Sequence, residues 1–174
     1  MELMRLTSSQ HPLFEEAFSL YTASFPHAER RDTVEQARVF GKEDYHFDVL
    51  LEDGKLMGIV FYWQTKDFLY LEHLATKPEL RNRGIGALAL GLLKEKNVPI
   101  ILEIEPPEDE LTKRRYGFYR RNDFIMTEHY HIQAKYHIGD EDLELKILSY
   151  PHGISAAQYE TFRDYMNREV GIQA

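Results

Sequence analysis

The stretch from Leu74 to Leu93, "LATKPELRNRGIGALALGLL", sets Arg81, Arg83, Gly84 and Gly86 between an apolar run of strand character and one of helical character. A turn that opens a helix presents unpaired backbone N–H groups and the positive end of the helix dipole. Its natural guest is an anion such as a phosphate. Two known phosphate motifs can be tested against it. A P-loop needs lysine followed by serine or threonine after its last glycine, and no such pair is present. A dinucleotide fingerprint fits loosely at Gly84, Gly86 and Ala89, with Glu103 near the place of the ribose-binding acid. That motif puts its first glycine directly after the strand. Here "KPELRNR" intervenes, so an NAD-binding oxidoreductase stays a lesser alternative.

Outward from this turn, apolar residues recur at helical spacing in Pro12–Ser24, and Phe25-Pro26 breaks the pattern. Asp32 and Thr33 suit the start of a short helix reaching Phe40. The segment "YHFDVLLEDGKLMGIVFYWQ" reads as a hairpin around Asp53-Gly54, followed by the strand "FLYLEHLATK". After a helix from about Gly84 to Lys96, "VPIILEIE" suits a strand buried on both faces. "PPEDELTKRRYGFYRRNDF" begins as helices do, with prolines and acids. "HYHIQAKYHI" and "LELKILSY" alternate like a closing pair of strands. Residues 154–170 form an amphipathic helical extension with Tyr159, Phe162 and Met166 on one stripe. One α/β domain, residues 1–174, accounts for the chain.

Composition narrows the function. Apolar residues at 43% and charged residues at 29% are ordinary for a globular protein. With 29 acidic against 21 basic residues, the net charge of −8 argues against nucleic acid as a partner. No apolar run is long enough for a membrane span, and a cytoplasmic location is the default expectation. The absence of cysteine excludes disulfides and a cysteine nucleophile. His129, His131 and His137 share strand parity, but without a carboxylate at useful spacing an exposed strand face is expected rather than a metal site.

Arg81-x-x-Gly84-x-Gly86 resembles the acyl-CoA signature of the GNAT acetyltransferases. The flanking "LEHLATKP", "PIILEIE" and "FYRRNDF" follow in that family's order, with Asp123 where a glycine usually stands. The resemblance implies a mostly antiparallel central sheet with a splayed parallel strand pair, helices on its faces and a C-terminal helix. It implies acetyl-CoA as cosubstrate, with no metal, and transfer to a primary amine of a small molecule or peptide within a ternary complex. Cofactor contacts then fall on Leu74, Ala75 and Thr76 along the strand, and on Arg81, Asn82, Arg83, Gly84, Ile85, Gly86 and Ala87 at the turn. Tyr119 matches the family tyrosine near the CoA sulfur and is expected as general acid. Glu72 is expected to accept the amine's proton through a water. Alternation puts its neighbour His73 on the opposite face. Oxyanion stabilisation falls to a backbone N–H near Leu74 or Ala75. Phe25, Glu29, Tyr62 and Trp63 are candidates for the acceptor wall. A non-catalytic acyl-CoA-binding module is the main rival, and a homodimer through the last helix a secondary expectation.

Overall fold

Asp53 and Gly54 both take positive φ, 50° and 73°, as a two-residue hairpin turn requires. They join β2 (Tyr45–Glu52) to β3 (Lys55–Gln64), and β4 (Leu69–Thr76) continues the meander. A short N-terminal strand, β1 (Glu2–Arg5), not anticipated from the sequence, pairs with β2. All three pairings are antiparallel. Gly58 allows β3 and β4 to meet closely, since a Cβ there would lie 2.5 Å from the Ala75 carbonyl oxygen.

This computed structural model describes residues 1–172; the last two residues of the expected 1–174 domain lie outside the described residues. The chain forms two compact units, Met1–Val98 and Pro99–Ala174. In the first, α1 (Phe14–Ser24) and α2 (Thr33–Phe40) pack on the sheet, as does α3 (Ile85–Lys94). Phe14 stacks on Phe47, and Tyr21 meets Phe61 and His73, so these side chains define the α1 face. Tyr62 points the other way, under Lys96 just beyond α3. With both faces covered, β3 is buried without a break from Gly58 to Trp63. Burying each such aromatic or aliphatic side chain is worth roughly 1.5–3 kcal/mol.

In the second unit, β5 (Ile100–Ile104) pairs antiparallel with β8 (Glu144–Tyr150). Between them in sequence come α4 (Glu110–Arg121) and two short strands, β6 (Ile125–Met126) and β7 (His131–Ile132), each paired with β8. The expected long strand through "HYHIQAKYHI" is thus reduced to two paired residues. The last helix, α5 (Ala156–Tyr165), runs on as a π-helical turn, Met166–Val170. Its stripe is core, with Phe162 and Met166 enclosed.

Candidate active site

Helix starts differ sharply along this chain. Asp32 caps α2 by accepting from the N–H groups of Val34 and Glu35, and Asp109 and Ser155 cap α4 and α5 in reciprocal boxes with Thr112 and Gln158. The start of α3 has no side-chain cap. Gly84 occupies its N-cap in the left-handed region, φ 77°, preceded by Asn82 at φ 64°. A Cβ on Gly84 would meet nothing within 4 Å, so backbone conformation and not crowding calls for glycine. Arg81, Asn82 and Arg83 are exposed around this start, while Gly86 and Ala87 are half-buried and Ile85 anchors the turn in the core. Amides open to a ligand, flanked by two arginines, suit a polyanionic group such as a diphosphate.

Upstream of this turn, β4 departs from regular pairing at Glu72. Tyr62 faces Leu71 and Phe61 faces His73, which leaves Glu72 as the extra residue of a β-bulge. The bulge overturns strict alternation: Glu72 and His73 turn to the same face, with His73 Nδ1 3.8 Å from Glu72 Oε2. The Glu72 side chain is fully enclosed. Arg31 Nη2 reaches its Oε1 at 2.7 Å, Arg31 Nη1 donates to Oε2 at 2.9 Å, and Trp63 Nε1 donates to Oε2 at 3.1 Å. The guanidinium also lies 5.7 Å from the centroid of Tyr45 and 5.6 Å from that of Trp63. Burial first, and the Glu72 charge second, push the Tyr21 hydroxyl up. Leu74, Ala75 and Thr76 follow the bulge half-buried.

Tyr119 lies in the last turn of α4, and the helix end fixes it. The Phe124 N–H donates to the Tyr119 carbonyl at 3.1 Å and the Asp123 N–H to Arg120 at 3.1 Å, the two bonds of a Schellman motif. Asp123 takes the left-handed position at φ 66°, so the turn that glycine usually makes is kept by a residue that tolerates it. The Tyr119 and Phe124 rings meet edge-on at 5.7 Å. Burial pushes the Tyr119 hydroxyl up to about 12, with Arg115 pulling back. The hydroxyl has no hydrogen-bond partner among the described residues. It therefore holds its proton at neutral pH.

Other sequence expectations are redistributed. Tyr62 and Trp63 are wholly buried, so they support the sheet and cannot wall an acceptor pocket; Phe25 and Glu29 stay half-exposed. His131 is buried, not on an exposed strand face. Its Nε2 meets Glu103, and its Nδ1 meets the Tyr159 hydroxyl at 3.0 Å, which itself donates to the Tyr130 carbonyl at 2.8 Å. This knot ties β5, β7 and α5 together. His129 stacks on Tyr159 at 4.5 Å. Among the described residues no group of three or more His, Cys, Asp or Glu could hold a metal, and no helix is long and apolar enough to cross a membrane. Lys113, Arg114, Arg120 and Arg121 form an exposed basic face on α4. Sequence reasoning missed Arg31; the second of two adjacent arginines in a loop gives no signal of a partner 41 residues away.

Comparison with known proteins gives this geometry its context. Residues 11–124 match the model of the acetyltransferase (GNAT) family. A GNAT-family protein from Bacteroides thetaiotaomicron has 30% sequence identity and a TM-score of 0.91, over 99% of this chain and 100% of that one. An aminoglycoside 6'-N-acetyltransferase complexed with coenzyme A shares the fold at a TM-score of 0.64 and 13% identity, over 88% and 100% of the two chains. YjbC of Bacillus subtilis (strain 168), described by inference as an acetyltransferase, is 32% identical over 79 residues, 44% of this chain; the match spans only 41% of YjbC. On the strength of the family match and of the likeness over nearly its whole length, the chain belongs to the acetyltransferase (GNAT) family.

Proposed function

We propose that this protein transfers an acetyl group from acetyl-CoA to a primary amine of a small molecule or peptide by direct attack in a ternary complex. The observation that carries it is the start of α3, which has no side-chain cap and opens on Gly84 in the left-handed region with Arg81, Asn82 and Arg83 exposed around it. Helices α2, α4 and α5 are capped by side chains, and α1, also uncapped, opens on Leu13 in the right-handed region. The N–H groups of Arg83 to Ala87 bind the diphosphate of the cosubstrate, with charge from Arg81 and further contact from Asn82. The Leu74–Thr76 backbone receives the pantetheine arm as an added strand would be received. An N–H near Leu74 or Ala75 faces the oxygen on which charge develops. Attack by the free amine nitrogen forms the amide and breaks the carbon–sulfur bond. Tyr119 gives its proton to the departing thiolate, and the proton that the amine sheds passes to solvent water, which reprotonates Tyr119. Glu72 was expected to take the amine's proton, yet its oxygens are engaged by Arg31 and Trp63, which supports a different role. The family match runs through residue 98, which supports the two units working as one domain.

Stabilisation of the purified chain by CoA and not by NAD, followed by acetyl-CoA consumption with a member of an amine panel, is the expected result. Stabilisation by NAD alone would overturn the proposal, and CoA binding without transfer to any amine would favour a non-catalytic acyl-CoA-binding module. Tyr119→Phe should lower kcat by about 100-fold or more and leave CoA affinity unchanged. Full activity in that variant across pH would remove the general acid.

A further inference from the structure

Glu72 has no residue opposite it on β3. Its side chain is 0% exposed and that of Arg31 1%, yet Glu72 as a residue keeps accessible surface. What it shows to solvent is therefore main chain. Taking two charges out of water is costly, and apolar residues of similar volume would serve stability as well or better. The pair sits at the irregular point in the pairing of β4 with β3, and its bonds leave little freedom there. Arg31 grips both carboxylate oxygens, and its own N–H donates to the Tyr21 hydroxyl at 2.8 Å. His73, the second bulge residue, is tied to the Glu29 carbonyl at 2.8 Å through Nε2. Both residues of the bulge are thus tethered through their side chains to one short segment, Glu29 to Arg31, that follows α1.

We infer that the buried Arg31–Glu72 pair is a positioning device for acyl transfer, holding the β4 bulge in shape so that the N–H groups of Leu74 and Ala75 meet the thioester carbonyl. The inference rests on the acyl-CoA reading above. Glu72 acts through the backbone it anchors and takes no proton from the amine. The same pair fixes the segment bearing Phe25 and Glu29 to the strand, so acceptor and acyl group are registered by one clamp.

The test uses the full chain with Arg31→Met and Glu72→Met combined, a change that removes both charges and strands neither. Arg31→Lys is the milder companion, keeping the charge and losing the two-pronged grip. Amide hydrogen exchange, which needs no ligand, should become at least tenfold faster at His73 to Ala75 in the double variant while β2 and β3 keep their protection. With an active amine, kcat should fall at least tenfold, the CoA dissociation constant should stay within threefold, and the midpoint of the pH–kcat profile should not move. Arg31→Lys should fall between the double variant and the parent in both readouts. Unchanged exchange or undiminished kcat would overturn the inference. So would loss of the acid limb of the profile in Glu72→Gln, since that would make Glu72 a proton acceptor. If the parent chain neither binds CoA nor transfers acetyl, the functional reading fails, and the exchange data still decide whether the pair holds the bulge.

Discussion

Two buried carboxylates stand on opposite faces of the same four-stranded sheet, and they are treated in opposite ways. Glu72 has an arginine and an indole N–H on its oxygens. Asp48, on β2, receives one hydrogen bond, from the Tyr62 hydroxyl to Oδ2 at 3.1 Å. Its Oδ1 is buried and has no hydrogen bond among the described residues, the nearest basic atom being His46 Nδ1 at 3.8 Å. Burial pushes Asp48 up from 3.8 to about 6, although the Tyr62 bond, Lys96 and Arg5 pull it back. Burial also draws His46 down from 6.5 to about 4, helped by Arg5 and Lys96. An arginine makes a buried acid an anchor. With no arginine on its oxygens, Asp48 is left to the upward push of burial.

The comparison breaks most violently if the anchor loses its partner. Arg31→Met alone leaves a bare carboxylate in the core and should lower the unfolding free energy by about 3–5 kcal/mol, read from urea denaturation. The double variant with Glu72→Met should recover most of that loss. A single variant as stable as the parent would mean that the ion pair matters little to the fold.

Asp48→Asn should act in the other direction. A carboxyl raised in the folded state contributes stability that is complete below 3.8 and is lost as pH rises through about 6. At pH 7 the ionised group is therefore a burden, and asparagine should stabilise the protein by about 1–3 kcal/mol. The gain should vanish by pH 4. A loss of stability at pH 7 would show that the charge of Asp48 is compensated in a way its hydrogen bonds do not reveal.

The two acids also mark how far the sequence could be read. The turn at Gly84, the hairpin at Asp53-Gly54 and the Asp32 cap are local, set by residues within a few positions of each other, and all three form as their chemistry dictates. The bulge at Glu72 is a relation between two strands, because an extra residue is extra only against its partner β3. Alternation along β4 alone therefore sent His73 to the wrong face. Trp63 and Tyr62 looked like a ligand wall for a related reason: helices cover both faces of β3, and no pattern within the strand tells which helix will lie on it. The partner of His131 was hidden in the same way, since Glu103 lies 28 residues away on another strand. Nor does Asp48, inside the apolar run "FDVLL", announce that it lacks an arginine.

The smallest expected effect sharpens the contrast further. His46 stacks on Tyr62 with ring centroids 4.4 Å apart, and its depressed value means that folding favours the neutral ring. Its contribution is complete above pH 6.5 and is lost as pH falls towards 4. Asp48 gains over nearly the same interval, from about 6 down to 3.8, so the two trends oppose each other and the parent should show little pH dependence there. Removing either group unmasks the other. Asp48→Asn should lose about 1–2 kcal/mol between pH 6.5 and 4, because the ring edge still meets some solvent. His46→Phe keeps an aromatic ring on Tyr62 and should become more stable over that range by a similar amount. Chemical denaturation at half-unit pH steps reads both slopes. Two flat profiles would mean that Asp48 and His46 share one proton and titrate as a pair, leaving Asp48 with a partner in all but hydrogen-bond distance.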